Sequence, residues 1–158
     1  METTTHQVKK KNKPLPHSRK VENAKFSSNV LSKKKLGEEY LISLIRRGLS
    51  KKVMDEVIKL TGITQQEMAG YIRTSDRTLR RYTPSTILSA EQSERIIELA
   101  LLYYKGGDVF ENMDAFKQWM DTPLLALGNK KPKGYLDTSI GIEKLHHILG
   151  RIEHGIYS

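Results

Sequence analysis

The chain has no cysteine, which removes disulfides, thiol nucleophiles and thiolate zinc sites together. It also lacks any run of about 18 apolar residues that could span a membrane, and its N-terminal segment has no apolar core of the secretory type. The expectation is a soluble, cytoplasmic protein with no membrane partner. Strand signals are nearly absent as well, since the apolar spacing from Leu36 onward follows a helical period. Enzyme signatures are missing too. There is no glycine-rich phosphate loop, no nucleophile beside a base and no framed pair of carboxylates, so no catalytic residue and no cofactor is assigned.

Acidic charge is scarce in one place only. Residues 1–35 carry ten Lys or Arg against Glu2 and Glu22, a net of +8, whereas the remaining 123 residues carry 17 basic against 16 acidic groups. Nearly all of the overall +9 therefore belongs to an N-terminal arm. With Pro14, Pro16 and few large apolar residues, the arm cannot bury enough surface to offset the entropy of ordering. It reads as a basic disordered arm, either a solvating tail or a nonspecific phosphate binder. The 37% hydrophobic content of the whole chain fits an unpacked part of this kind.

The rest predicts an all-α protein in two parts, residues 36–88 and 89–158. Leu41, Leu44 and Ile45 share a face of a first helix ended by Gly48. Ser50 is positioned to cap a second, which holds Val53, Met54, Val57, Ile58 and Leu60 and closes at Gly62. Thr64-Gln65-Gln66-Glu67 is a capping box. Ser75 then caps a short helix through Tyr82. Two short helices separated by Arg73-Thr74 have the dimensions of a helix-turn-helix, with the small Ala69 permitting close approach and Ile72 and Leu79 packing between them.

Recognition helices enter the major groove N-terminus first, where an arginine can donate two bonds to guanine O6 and N7. Ser75, Asp76, Arg77, Thr78, Arg80 and Arg81 are accordingly the candidate DNA-binding residues, with Arg77 and Arg80 reading bases and Thr78 and Arg81 touching phosphate. A solvated basic face on an ordinary helical pair is the alternative. The turn position usually filled by glycine is Arg73, which bears a steric cost if the backbone there is left-handed.

Beyond Pro84, Ser89-Ala90-Glu91-Gln92 forms a second capping box opening a longer helix, which Gly106-Gly107 is expected to end. Asn112 caps a helix containing Phe116 and Trp119, an aromatic pair read as core. Asp121-Thr122-Pro123 breaks that helix, and Pro123 is expected to start a brief turn through Leu127. A loop rich in glycine and lysine follows, after which Thr138 caps a final helix whose Ile142, Leu145, Ile148, Leu149 and Ile152 point inward. Gly155 can stop this helix in the left-handed conformation that costs glycine nothing. Ile156 and Tyr157 would then leave as an apolar plug, folding back onto their own domain or entering a pocket on another protein. His146, His147 and His154 do not read as a metal site, because Arg151 places a cation among the would-be ligands.

These residues carry a resemblance. Ser75 to Arg81, Leu88-Ser89-Ala90-Glu91, Ala115 to Pro123, Leu127-Gly128, Pro132, Leu136-Asp137-Thr138, Gly141 and Leu149 to Tyr157 resemble the Xre/MbcA/ParS antitoxins, bacterial partners of RES-domain toxins. The likeness spans about 96 residues, from Gly62 to Tyr157, and excludes the basic arm. It implies an Xre-like helix-turn-helix unit followed by a small helical toxin-binding domain. It further implies neutralisation of a RES-type toxin, NAD-consuming or ADP-ribosylating, by covering its active site with the C-terminal region. Autorepression of the operon by binding operator DNA, a homodimer and a higher toxin-antitoxin complex are implied as well. Arg151, Glu153, His154, Ile156, Tyr157 and Ser158 are the residues expected on the toxin. Glu153, Tyr157, Ser158 and the terminal carboxylate suit the cationic groups of a dinucleotide cleft, and Ile156 suits an apolar recess. Two other readings stay open: a free-standing transcriptional regulator with a C-terminal dimerisation domain, and a metal-dependent hydrolase using the histidines.

Overall fold

The computed structural model describes residues 36–156; the basic arm, Tyr157 and Ser158 lie outside the described residues. Among the described residues, seven α-helices follow one another: α1 (Glu38–Arg47), α2 (Lys51–Thr61), α3 (Gln65–Tyr71), α4 (Asp76–Arg81), α5 (Ala90–Val109), α6 (Met113–Met120) and α7 (Ser139–Glu153). Two 3₁₀ turns, Leu125–Leu127 and Pro132–Tyr135, connect α6 to α7. Among the described residues there is no β-strand, only isolated antiparallel bridges at Ser50 and Ile87 and at Leu124 and Lys130. The all-α reading is correct.

Most helix starts follow from local chemistry. Thr64 Oγ1 accepts from the Glu67 amide while the Glu67 carboxylate accepts from the Thr64 amide, and Ser89 and Gln92 repeat the arrangement. Ser75, Asn112 and Thr138 each cap their helix through a side-chain oxygen. These bonds satisfy amides that have no partner inside the helix. Ser50 is different. It stands at the N-cap of α2 but its side chain makes no capping bond. The orphan amides of Lys51 and Lys52 donate instead to the carbonyls of Thr86 and Pro84, at 2.8 and 3.0 Å. The chain thus folds back along the start of α2, and Leu88 N donates to Leu49 O at 2.8 Å. Gly48 permits that approach, since a β-carbon there would lie 2.3 Å from the Leu88 carbonyl oxygen, and its φ is +82°.

α5 is the axis of the molecule, packing against α1, α2, α6 and α7. Its expected end at Gly106-Gly107 is wrong, because the helix runs on to Val109. Both glycines make room for α6. A β-carbon on Gly106 would lie 2.2 Å from the Phe116 ring, and one on Gly107 would lie 2.9 Å from Met113 Cε. Phe116 is fully buried, meeting Tyr103 edge-on at 5.2 Å and Trp119 in a stack at 5.7 Å. The aromatic pair is core, as read. The turn placed from Pro123 begins later, at Leu125, and the glycine- and lysine-rich loop contains the second 3₁₀ turn. One apolar cluster runs from Leu44 on α1 through Ile96, Leu99 and Leu102 on α5 to Leu145 and Leu149 on α7.

Candidate functional site

The first surface is built by α3, the turn and α4. Ala69, Ile72 and Leu79 are buried between the helices, as their size and spacing require. Arg73 adopts φ +54°, so the turn takes the left-handed conformation with arginine in glycine's usual place. Thr74 N donates to Ala69 O at 2.9 Å and closes it. The Arg73 guanidinium lies 3.4 Å from Glu91, an exposed pair.

On α4, Ser75 Oγ receives the Thr78 amide at 3.0 Å and shares a hydrogen bond with the Thr78 hydroxyl at 2.8 Å. Asp76 accepts from Gln65 Nε2 at 2.9 Å and from Arg80 Nε at 2.7 Å. The Gln65 bond first, and then Arg80, hold its carboxyl below the usual range. Asp76 is thereby the link between the two helices and the grip on Arg80, whose terminal amino groups remain available for a base edge. Arg77, Arg80 and Arg81 are all exposed. The geometry is that of a side-chain fork held at one nitrogen and offered at the others.

The second surface is the end of α7. His154 N donates to Gly150 O, Gly155 N to Ile152 O and Ile156 N to Arg151 O, the last at 2.9 Å, with Gly155 at φ +68°. This is a Schellman closure, and it usually pairs an apolar residue at the position of Ile156 with one a turn or so back. Here that region offers Gly150 and Arg151, and Ile156 stands 57% exposed. Arg151, Glu153 and His154 are exposed beside it. Glu153 is ion-paired to Lys105 of α5, whose hydrogen bond is the main reason its carboxyl sits below the ordinary value. Of the expected toxin-facing residues, the structure groups Arg151, Glu153, His154 and Ile156 at one helix end; Tyr157 and Ser158 lie outside the described residues.

Burial first, then Lys105 and His147, pushes His146 below its ordinary value, and exposed His147 approaches Glu143 at 4.0 Å. Among the described residues no three His, Asp or Glu side chains stand where they could hold a metal ion.

One residue of consequence has no place in the sequence reading. Arg95, only 6% exposed within α5, donates to Tyr71 O at the end of α3, to Leu136 O at 2.8 Å, to Ser139 Oγ at 3.0 Å and to Glu98. It ties the helix before the turn to the start of α7. A second tie runs beside it, from Lys133 Nζ to Glu67 at 2.9 Å. Burial alone raises the Glu67 carboxyl, but the Thr64 amide, Lys133 and the Thr64 hydroxyl outweigh it and leave the group below its ordinary value. A signal for Arg95 existed, since it stands four and seven residues before Leu99 and Leu102 on the buried stripe of α5.

A helix-turn-helix followed by a helical module that shares its core is the architecture of a DNA-binding unit with an appended interaction domain. Residues 41–101 match the antitoxin Xre-like helix-turn-helix domain, and residues 105–155 match the antitoxin Xre/MbcA/ParS C-terminal toxin-binding domain. The chain is 31% identical over 121 residues to an Antitoxin Xre of Yersinia enterocolitica serotype O:8 / biotype 1B, covering 75% of this chain and 81% of that one. An Antitoxin Xre of Photorhabdus laumondii subsp. laumondii is 27% identical over 121 residues, 75% of this chain and 82% of the relative. The chain belongs to the Xre/MbcA/ParS antitoxin family. Neither matched domain is an enzyme domain, and no described helix is long and apolar enough to cross a membrane.

Proposed function

We propose that this antitoxin neutralises a RES-type toxin, NAD-consuming or ADP-ribosylating, by placing the end of α7 over the toxin's active-site cleft. Arg151, Glu153, His154, Ile156, Tyr157 and Ser158 make that contact. The observation carrying the reading is the exposed Ile156 beyond a closed helix end: its amide is held on the Arg151 carbonyl while its side chain stands 57% exposed. An anchor already held in its bound geometry loses little freedom on association.

The same chain represses its own operon as a cytoplasmic dimer, through Ser75, Asp76, Arg77, Thr78, Arg80 and Arg81. The left-handed turn at Arg73 and the Asp76 grip on Arg80 support this second half. The turn and the Gln65–Asp76 hydrogen bond join α3 to α4, the pairing that a helix-turn-helix brings to the major groove.

Removing Ile156 to Ser158 tests the first half, because it leaves α7 and the closing bonds made by His154 and Gly155 in place. Cells co-expressing the truncated antitoxin with the protein encoded beside its gene should arrest, whereas cells with the full chain grow. Equal growth, with circular dichroism showing equal helicity, would move neutralisation away from the ending.

A further inference from the structure

Among the described large apolar side chains, two are the most exposed: Leu125 at 85% and Ile140 at 80%. Neither sits on a loose segment. Leu125 opens the first 3₁₀ turn, which is closed by Leu124 N to Lys130 O at 3.1 Å, Asn129 N to Leu124 O at 2.9 Å and Gly128 N to Leu125 O at 2.9 Å. That turn passes through two successive left-handed residues, Gly128 at φ +63° and Asn129 at φ +59°. Ile140 is the second residue of α7, two positions past the Thr138 cap.

Tyr135 joins the two positions. Its hydroxyl donates to Leu127 O at 3.5 Å, its carbonyl oxygen lies 2.1 Å from where a β-carbon on Gly141 would be, and Lys144 Nζ stands 5.3 Å from its ring centroid. Leu125 and Ile140 are therefore both carried by backbone that packs on one half-buried tyrosine. Ordered backbone presenting leucine, tyrosine and isoleucine to solvent has the make-up of an interface centre.

We propose that Leu125, Tyr135 and Ile140 form the surface on which the toxin docks, and that this surface supplies affinity while the ending at Ile156 supplies inhibition. The proposal rests on the toxin-neutralising reading above. The occupant is the toxin, offering an apolar recess, because both residues fall inside the stretch 105–155 that matches a toxin-binding domain. The exposed large apolar residues of the helix-turn-helix unit, Ile42 at 37% and Ile87 at 39%, are less than half as exposed.

The experiment uses the full chain and the purified protein encoded beside its gene, with affinity read by calorimetry. The Leu125→Asp/Ile140→Asp chain should bind roughly 100-fold more weakly, since two central anchors are lost. The chain lacking Ile156 to Ser158 should stay within about threefold of full length while failing to protect cells, because the docking anchors are intact. Leu125→Ser/Ile140→Thr, which adds no charge, should weaken binding in the same direction with an unchanged melting temperature. Unchanged affinity in both double variants would overturn this inference alone. So would light scattering that shows the unaltered chain self-associating and the variants falling apart at unchanged toxin affinity, which would assign the face to a second copy. If the unaltered chain does not bind the neighbouring protein, the inference and the reading beneath it both fall.

Discussion

A β-carbon at position 106 would stand 2.2 Å from the Phe116 ring, far inside van der Waals contact, while one at position 70 would meet nothing within 4 Å. The two positions separate helix propensity from packing. Gly→Ala in a helix interior is worth about 1 kcal/mol by propensity alone, and overpacking a core costs about 1–3 kcal/mol. Gly70→Ala should therefore raise the urea midpoint. Gly106→Ala should lower it, with a net loss of up to about 2 kcal/mol, at an unchanged slope if only the native state is affected. A stabilised Gly106→Ala protein would show that α5 and α6 are less tightly joined than the contact implies. The same comparison explains the misplaced helix end. Whether a glycine stops a helix or makes room for a neighbour depends on a residue ten positions later, which local pattern does not encode. Gly62 and Gly155 are legible because their task is local: each takes positive φ just past the last turn.

At the scale of elements, α5 works by two kinds of attachment. Its apolar side holds α1, α2, α6 and α7, and its buried Arg95 holds the end of α3, the Leu136 carbonyl and Ser139. Hydrogen bonds from a charged group typically contribute more than neutral ones, and a lost partner leaves buried carbonyls unsatisfied. Arg95→Met should cost about 3 kcal/mol in chemical denaturation. Glu98→Gln should cost less, because Glu98 is about a quarter exposed and water can replace part of its bond. Equal, small losses in both would mean the network is ornamental. The helix caps were legible because donor and acceptor lie three residues apart, as at Thr64 and Glu67 or Ser89 and Gln92. The ties made by Arg95 were not: its place on the buried stripe is local, but Tyr71, Leu136 and Ser139 lie 24, 41 and 44 residues away in sequence. The start of α2 fails for the same reason, its partners being Pro84 and Thr86.

Across the whole molecule, the net charge is concentrated in one stretch. The first 35 residues hold a net +8, and the remainder is close to neutral. If α4 reads bases, Arg77→Ala and Arg80→Ala should each weaken operator binding by about 1–3 kcal/mol and relax preference at one base pair. Deleting residues 1–35 should weaken operator and random DNA alike and flatten the dependence on salt. Gel-shift titrations on both DNAs at several salt concentrations distinguish these outcomes; equal loss on both DNAs for the arginine variants would remove α4 from base reading. What was legible of the candidate surfaces is the exposure of Arg77 and Arg80 on α4 and of Ile156 past the Gly155 stop. The Asp76 bond to Gln65 was not, since it spans two helices and needs the turn at Arg73 to bring them together.

The two matched domains, residues 41–101 and 105–155, meet inside the unbroken α5, and one apolar cluster spans both. A chain built this way has no seam at which half can be lost and half kept. Cleavage anywhere along α5 strips cover from Ile96, Leu99 and Leu102, and a core shared so widely unfolds as one cooperative unit. On the reading given above, a cellular protease that removes this antitoxin ends neutralisation and repression at the same moment. The two activities then have a single lifetime, and the release of the toxin and the reopening of its operon run on one clock.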